Sequence, residues 1–185
     1  PAAICSNTAF TYTPTSATSG ASFTWTRAAV SGISNAAVTT GQVSNPNETL
    51  INTTANPINV VYAFTITANG CSNTQNVTVR VNPTPTLSST LTPAAICSNS
   101  TFTYTPTSAT TGATFTWTRA AVTGISNTAV TSPQASNPSE TLVNSTANPI
   151  NVVYEYSILA NGCINTQNVT VTVNPTPILN TTLTP

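Results

Sequence analysis

The sequence has no His, Asp, Lys or Met among its 185 residues. Charged side chains make up 3% of it: three Arg (Arg27, Arg80, Arg119) and three Glu (Glu48, Glu140, Glu155). An ordinary soluble domain carries about 25%. Each absence excludes a class of chemistry. Without His, neither a Ser-His-Asp triad nor a base-activated thiol can be assembled. With Glu48 the single carboxylate of the first half, a glycosidase pair of acid and nucleophile cannot form there. Three Arg cannot make the basic surface that displaces counterions from nucleic acid. The clustered carboxylates of an extracellular calcium site are missing. Two Cys per half, without His or Asp, cannot complete a zinc site. Seven Gly include no phosphate-cradling loop. No stretch reads as a signal peptide or as a membrane-spanning apolar run. The expectation is a protein that is not an enzyme, holds no cofactor or metal, and binds no nucleic acid.

What is abundant is Thr, at 41 positions, and repetition. Residues 1–93 lie over residues 93–185 with a shift of 92 and no gap, and about three quarters of the aligned positions are identical. A unit of that size is a whole small domain. Pro1, Pro93 and Pro185 are equivalent, so the chain reads as two units taken in phase from a longer array. The organisation expected is a first repeat over 1–84, a Pro/Thr-rich linker over 85–92, a second repeat over 93–176, and the start of a further linker over 177–185. Proline restricts itself and the residue before it, so such a linker is semi-rigid.

Within each unit the hydrophobic period is two. Ile58, Val60, Tyr62, Phe64, Ile66 and Ala68 alternate with more polar neighbours, as do Val77, Val79 and Val81, Phe23 and Trp25, and Phe10 and Tyr12. This predicts strands with one buried and one wet face. Thr suits the exposed pleat because its χ1 is already restricted there. Turn residues fall between the runs, among them Ser31-Gly32, Asn45-Pro46, Asn56-Pro57 and Asn69-Gly70. Asn69-Gly70 between two strands signals a hairpin, and the five or so residues to Gln75 make the one expected looser than a two-residue turn. No stretch has helical periodicity. Six or seven short strands in about 90 residues predict an all-β chain of two tandem immunoglobulin-like antiparallel sandwiches.

Four Cys (Cys5, Cys71, Cys97, Cys163) allow three pairings, and an array must treat its units alike. Two pairings satisfy this. One lies within units, Cys5–Cys71 and Cys97–Cys163; the other crosses the linker, Cys71–Cys97. Either places the protein outside the cytosol. Arg27 and Glu48 return as Arg119 and Glu140. They form either a structural ion pair inside each unit or a contact to a partner, and the low worth of exposed pairs favours a partly buried one. Trp25 and Trp117, on an inward strand phase, read as core aromatics rather than as a platform for sugars. Asn-X-Ser/Thr triplets at Asn47, Asn52, Asn76, Asn99, Asn144, Asn168 and Asn180 are what chance supplies in so Asn- and Thr-rich a chain.

The runs Ile4-Cys5-Ser6-Asn7, Phe10-Thr11-Tyr12, Phe23-Thr24-Trp25-Thr26-Arg27, Asn69-Gly70-Cys71 and Val77-Thr78-Val79 resemble the PKD-like, immunoglobulin-like repeats of Bacteroidota surface proteins. The family's Gly-Asp-Gly turn after the Trp is absent. The resemblance covers the chain twice and implies a β-sandwich, a disulfide from the Cys5 to the Cys71 position, and a stalk role. It places the chain in large adhesins exported by type IX secretion, such as gliding-motility adhesins of the SprB kind. The function expected is a structural repeat of a long extracellular, cell-surface filament. Its partners are neighbouring identical repeats, with surface glycans or the gliding and secretion machinery engaged through other regions. The rival reading is a carbohydrate- or surface-binding module acting through avidity. A third, in which Thr86–Leu91 is donated as a strand, ranks last.

Overall fold

A computed structural model describes residues 1–179. The end of the expected second linker and Asn180 lie outside the described residues. The first repeat forms β1 (Ile4–Cys5), β2 (Thr8–Thr11), β3 (Ser22–Arg27), β4 (Val38–Gln42), β5 (Asn47–Leu50), β6 (Ile58–Ala68) and β7 (Cys71–Asn82). The second forms β8 (Ile96–Cys97), β9 (Ser100–Thr103), β10 (Thr114–Arg119), β11 (Val130–Gln134), β12 (Ser139–Leu142), β13 (Ile150–Ala160) and β14 (Cys163–Asn174). No helix occurs among the described residues.

In each repeat a five-stranded sheet, β1-β7-β6-β3-β4 or β8-β14-β13-β10-β11, faces a two-stranded one, β2-β5 or β9-β12. The side chains that alternate inward make the core. In the first repeat Phe10 and Leu50 from the small sheet meet Trp25, Val60, Tyr62, Phe64, Val79 and Val81 from the large one. Each such side chain contributes about 1.5–3 kcal/mol on leaving water. The sheets are antiparallel apart from one pair in each: β1 runs parallel to β7, with Ile4 opposite Val81 and Cys5 opposite Asn82, and β8 runs likewise beside β14.

The hairpin at Asn69-Gly70 is tighter and longer than the apolar pattern predicts. Ala68 pairs directly with Cys71, and both turn residues have positive φ (51° and 76°), as a two-residue type I′ turn requires. Ser72 to Asn76 continue the strand although they are exposed on both faces, so their polarity hid the pairing. Gly32 is fixed by space as well as by φ: an added Cβ would stand 2.6 Å from Ile58 Cδ1.

The chain divides into two compact units. One joins residues 1–84 with Asn161–Cys163; the other joins 85–160 with the residues from Ile164 on. Residues 85–91 thus belong to the body of the second unit. Asn165 Nδ2 donates to the Pro85 carbonyl (2.9 Å) and the Leu87 N–H donates to Gln167 Oε1 (2.6 Å). The Ser88 N–H donates to the Thr107 carbonyl and the Thr170 N–H to the Leu91 carbonyl. The Leu87 side chain is buried in the second core.

Candidate functional site

The strongest concentration of charge in each repeat is an Arg–Glu pair sealed into the sandwich. Arg27 ends β3 on the same inward phase as Trp25, and between these two residues the pairing with β4 shifts register. Glu48 lies on β5, opposite Phe10 of β2. The guanidinium is 1% exposed and engages the carboxylate through two bonds, Nε to Oε2 at 2.8 Å and Nη2 to Oε1 at 2.9 Å. Nη2 also donates to the Ala36 carbonyl at 2.6 Å, and Nη1 to that of Ala28. Arg119 repeats this with Glu140, Thr128 and Ala120.

Burial alone would raise the Glu48 and Glu140 carboxyls. The hydrogen bonds and charge of Arg27 and Arg119, together with the neighbouring Tyr62 and Tyr154, outweigh it and hold both below the ordinary glutamate range. The same bonds raise the guanidiniums further, against desolvation. A bidentate pair with its remaining donors on backbone carbonyls is a satisfied, inert structure. It offers no group poised to exchange a proton near neutral pH. In the second repeat the Tyr154 hydroxyl donates to Glu140 Oε2 at 2.8 Å. In the first, the buried Tyr62 hydroxyl makes no hydrogen bond. Burial, then the neighbouring carboxylate, pushes both tyrosines well above the usual range.

Trp25 and Trp117 are 6% and 5% exposed. Their indole N–H groups donate to the Ser44 and Ser136 carbonyls at 2.7 Å, and the rings pack 5.3 Å from Tyr62 and Tyr154. No indole face is left for a sugar.

A second polar anchor went unread in the sequence. Asn52 is 7% exposed. Its amide donates to the Val81 and Asn56 carbonyls (2.9 and 2.8 Å), and its Oδ1 accepts from the Thr54 N–H and hydroxyl. The Asn52 N–H donates to Ser6 Oγ. Asn144, with Ser98, Thr146, Asn148 and Val173, repeats every bond. The run Asn-x-Thr-x-Asn-Pro, present twice, is the signal that could have pointed to it. Both amides are spent on the fold, so neither triplet is open to a glycan.

The cysteines correct the pairings expected from sequence. Cys5 is bonded to Cys163, with Cα atoms 5.7 Å apart, while Cys71 and Cys97 are free and exposed. The bond lies in the first unit, which gathers Asn161–Cys163; there Asn82 Nδ2 also donates to the Asn161 carbonyl at 2.8 Å. Strand length explains why Cys5–Cys71 fails. Cys5 stands opposite Asn82 at the end of β7, and Cys71 begins that strand. Eleven residues at about 3.3 Å each separate them by roughly 36 Å, whereas a disulfide needs Cα atoms within about 7 Å. Cys97, opposite Asn174, stands the same way to Cys163. The cross-linker pairing Cys71–Cys97 is not made either, since both remain thiols.

An all-β chain of two tandem sandwiches, each built round one buried Arg–Glu pair, is an immunoglobulin-like repeat protein. The PKD-like domain family matches it twice, over residues 2–85 and 94–177, and the chain belongs to that family. No curated protein matches the sequence. Among solved structures the chain is similar to the I-band fragment I67-I69 from titin, at 12% identity and a TM-score of 0.44, covering 95% of this chain and 64% of that one. It is similar to human protocadherin-24 EC1-2 at 10% identity and a TM-score of 0.41, covering 96% and 95%. It is also similar to an endo-fucoidan hydrolase from glycoside hydrolase family 107, at 12% identity and a TM-score of 0.33, covering 97% and 28%. The chain spans less than two thirds of the hydrolase and of the titin fragment. Repeats of this family and fold are typical of extracellular structural or adhesion regions and are generally not enzymes.

Proposed function

We propose that the chain is a pair of length-giving repeats from a long cell-surface adhesin or filament, whose immediate partners are further copies of the same repeat. The path of the chain through the second unit carries this reading. The chain enters beside Asn165, near the start of β14, where the Pro85 carbonyl is held. It leaves at Asn174, the far end of the same 12-residue strand. Counted from Pro85 to its equivalent Pro177, each repeat therefore advances the chain by nine residues of β14 and the three beyond it, roughly 40 Å. The disulfide supports an oxidising, extracellular setting. Its pairing can also recur: a first-position cysteine (Cys5) takes the second-position cysteine of the next repeat (Cys163). Cys97 and Cys71 are then the halves that a following and a preceding repeat complete. With 3% charged residues, such a filament changes little with salt. Adhesion and gliding motility, through surface glycans or the secretion and gliding machinery, would be served by other regions that the stalk holds away from the cell.

The test is small-angle scattering from in-phase arrays of two, three and four repeats in oxidising buffer. The maximum dimension is expected to grow by roughly 40 Å per repeat. Growth of only a few ångströms per repeat, as in a compacting globule, would overturn the reading.

A further inference from the structure

The two repeats also differ in the burial of three side chains that are the same in both sequences. In the second, Tyr104, Ile158 and Val169 are 7%, 0% and 0% exposed. Their equivalents in the first, Tyr12, Ile66 and Val77, are only half-buried. The residue types are the same, so the difference lies in what covers them.

In the second unit the cover is the segment Pro85–Leu91. Leu87 is buried among these side chains as part of the core. Its backbone is held by Gln167, Thr107 and Thr170, and the Tyr104 hydroxyl donates to the Thr90 carbonyl at 3.0 Å. Every group that grips the segment has its counterpart in the first repeat: Asn73 for Asn165, Gln75 for Gln167, Thr78 for Thr170, Tyr12 for Tyr104, Thr15 for Thr107. There the same walls enclose open space. A cavity of about 320 Å³ is lined by Thr15, Ile66, Asn73 and Gln75 among others. A smaller one of about 50 Å³ lies against Tyr12, Phe64 and Val77.

We infer that this groove of the first repeat is a docking site for the lead-in segment of a preceding PKD-like repeat, a Pro-Thr-Leu-Ser stretch matching Pro85–Ser88. The partner's Leu fills the apolar floor between Tyr12, Ile66 and Val77. Its backbone N–H groups donate to Gln75 Oε1 and the Thr15 carbonyl, and one of its carbonyls accepts from the Thr78 N–H. The match is one of shape and hydrogen bonding without charge, as suits a chain with so little of it. Extended backbone pinned by prolines loses little freedom on docking. This inference names the partner of the array reading and rests on it. The experiment below fails separately, because it measures cover on one groove and the scattering test measures length per repeat.

The full chain is extended before Pro1 by ten residues copying Pro83–Thr92, so that the added segment meets Pro1 as Thr92 meets Pro93. Hydrogen exchange followed by NMR reads the Thr78 amide. The extension is expected to slow it about tenfold, the worth of one hydrogen bond made in a covered site, and to shift the Tyr12 and Val77 side-chain resonances. Two variants of the extended protein guard against simple tethering. Asp in place of the added copy of Leu87, and Gln75→Ala in the groove, should each return the Thr78 rate to that of the unextended chain. The same Thr78 rate with and without the extension would overturn the docking site. So would protection that survives both variants.

Discussion

A guanidinium that is 1% exposed can be tolerated only while its carboxylate stays ionised. That makes the Arg27–Glu48 and Arg119–Glu140 pairs the acid-sensitive points of the molecule. The folded state holds both carboxyls below their unfolded value, and groups so depressed contribute stability that is present above the unfolded pKa and lost as pH falls through the folded one. Stability, measured by urea titration, is therefore expected to be level from about pH 8 to 5 and to fall below about pH 4.5. There the Glu carboxyls take up protons and the buried Arg loses its partner. A steady decline beginning near pH 6.5 would contradict it, since the chain has no His to supply one. Tyrosine hydroxyls give a second prediction at this scale. Tyr156 is fully buried and its hydroxyl has no partner, and the first repeat carries Phe64 at the same place. Tyr156→Phe is expected to leave stability unchanged or raise it by up to about 1 kcal/mol. Tyr154→Phe, which removes the hydrogen bond to Glu140, should cost about 1–1.5 kcal/mol. A thermal melt of the two variants side by side decides it.

At the scale of elements, each sandwich is closed by a clasp rather than by strand pairing alone. Asn144 ties the loop before β13 to the end of β14 by donating to the Asn148 and Val173 carbonyls. Asn144→Ala strands buried partners on both sides, and a loss of about 2–4 kcal/mol is expected, confined to the second repeat. A loss under about 0.5 kcal/mol in chemical denaturation would show that water replaces the amide. The strands themselves were legible, because side-chain alternation survives wherever one face is dry. Ile58 to Ala68 reads as β6 residue for residue. Cys71 to Asn76 did not read as strand, because both faces there are wet and the period carries no contrast. That blind stretch had a further effect: with the length of β7 unseen, nothing in the sequence spoke against a Cys5–Cys71 pairing. The Arg–Glu pair could be picked out because charge is so rare here that its repetition stands out. Asn52 and Asn144 are two Asn among many, marked only by the repeated Asn-x-Thr-x-Asn-Pro run.

At the scale of the whole chain, the Cys5–Cys163 bond encloses a sequence separation of 158 residues. Loop-closure entropy makes such a bond worth about 5 kcal/mol against unfolding. Its mechanical meaning is different. When the two ends are pulled, tension passes from residue 5 straight to residue 163 across two sulfur atoms. Nearly everything between is a slack loop that carries no load, so unfolding inside it cannot lengthen the molecule. Single-molecule stretching is expected to show almost no extension beyond the short tails in oxidising buffer. With reductant, roughly 500 Å of hidden length should be released, at about 3.4 Å per freed residue. The same release under both conditions would mean the bond is not made. A filament joined in this way behaves as an inextensible cord, and the redox state of its surroundings decides whether it can stretch.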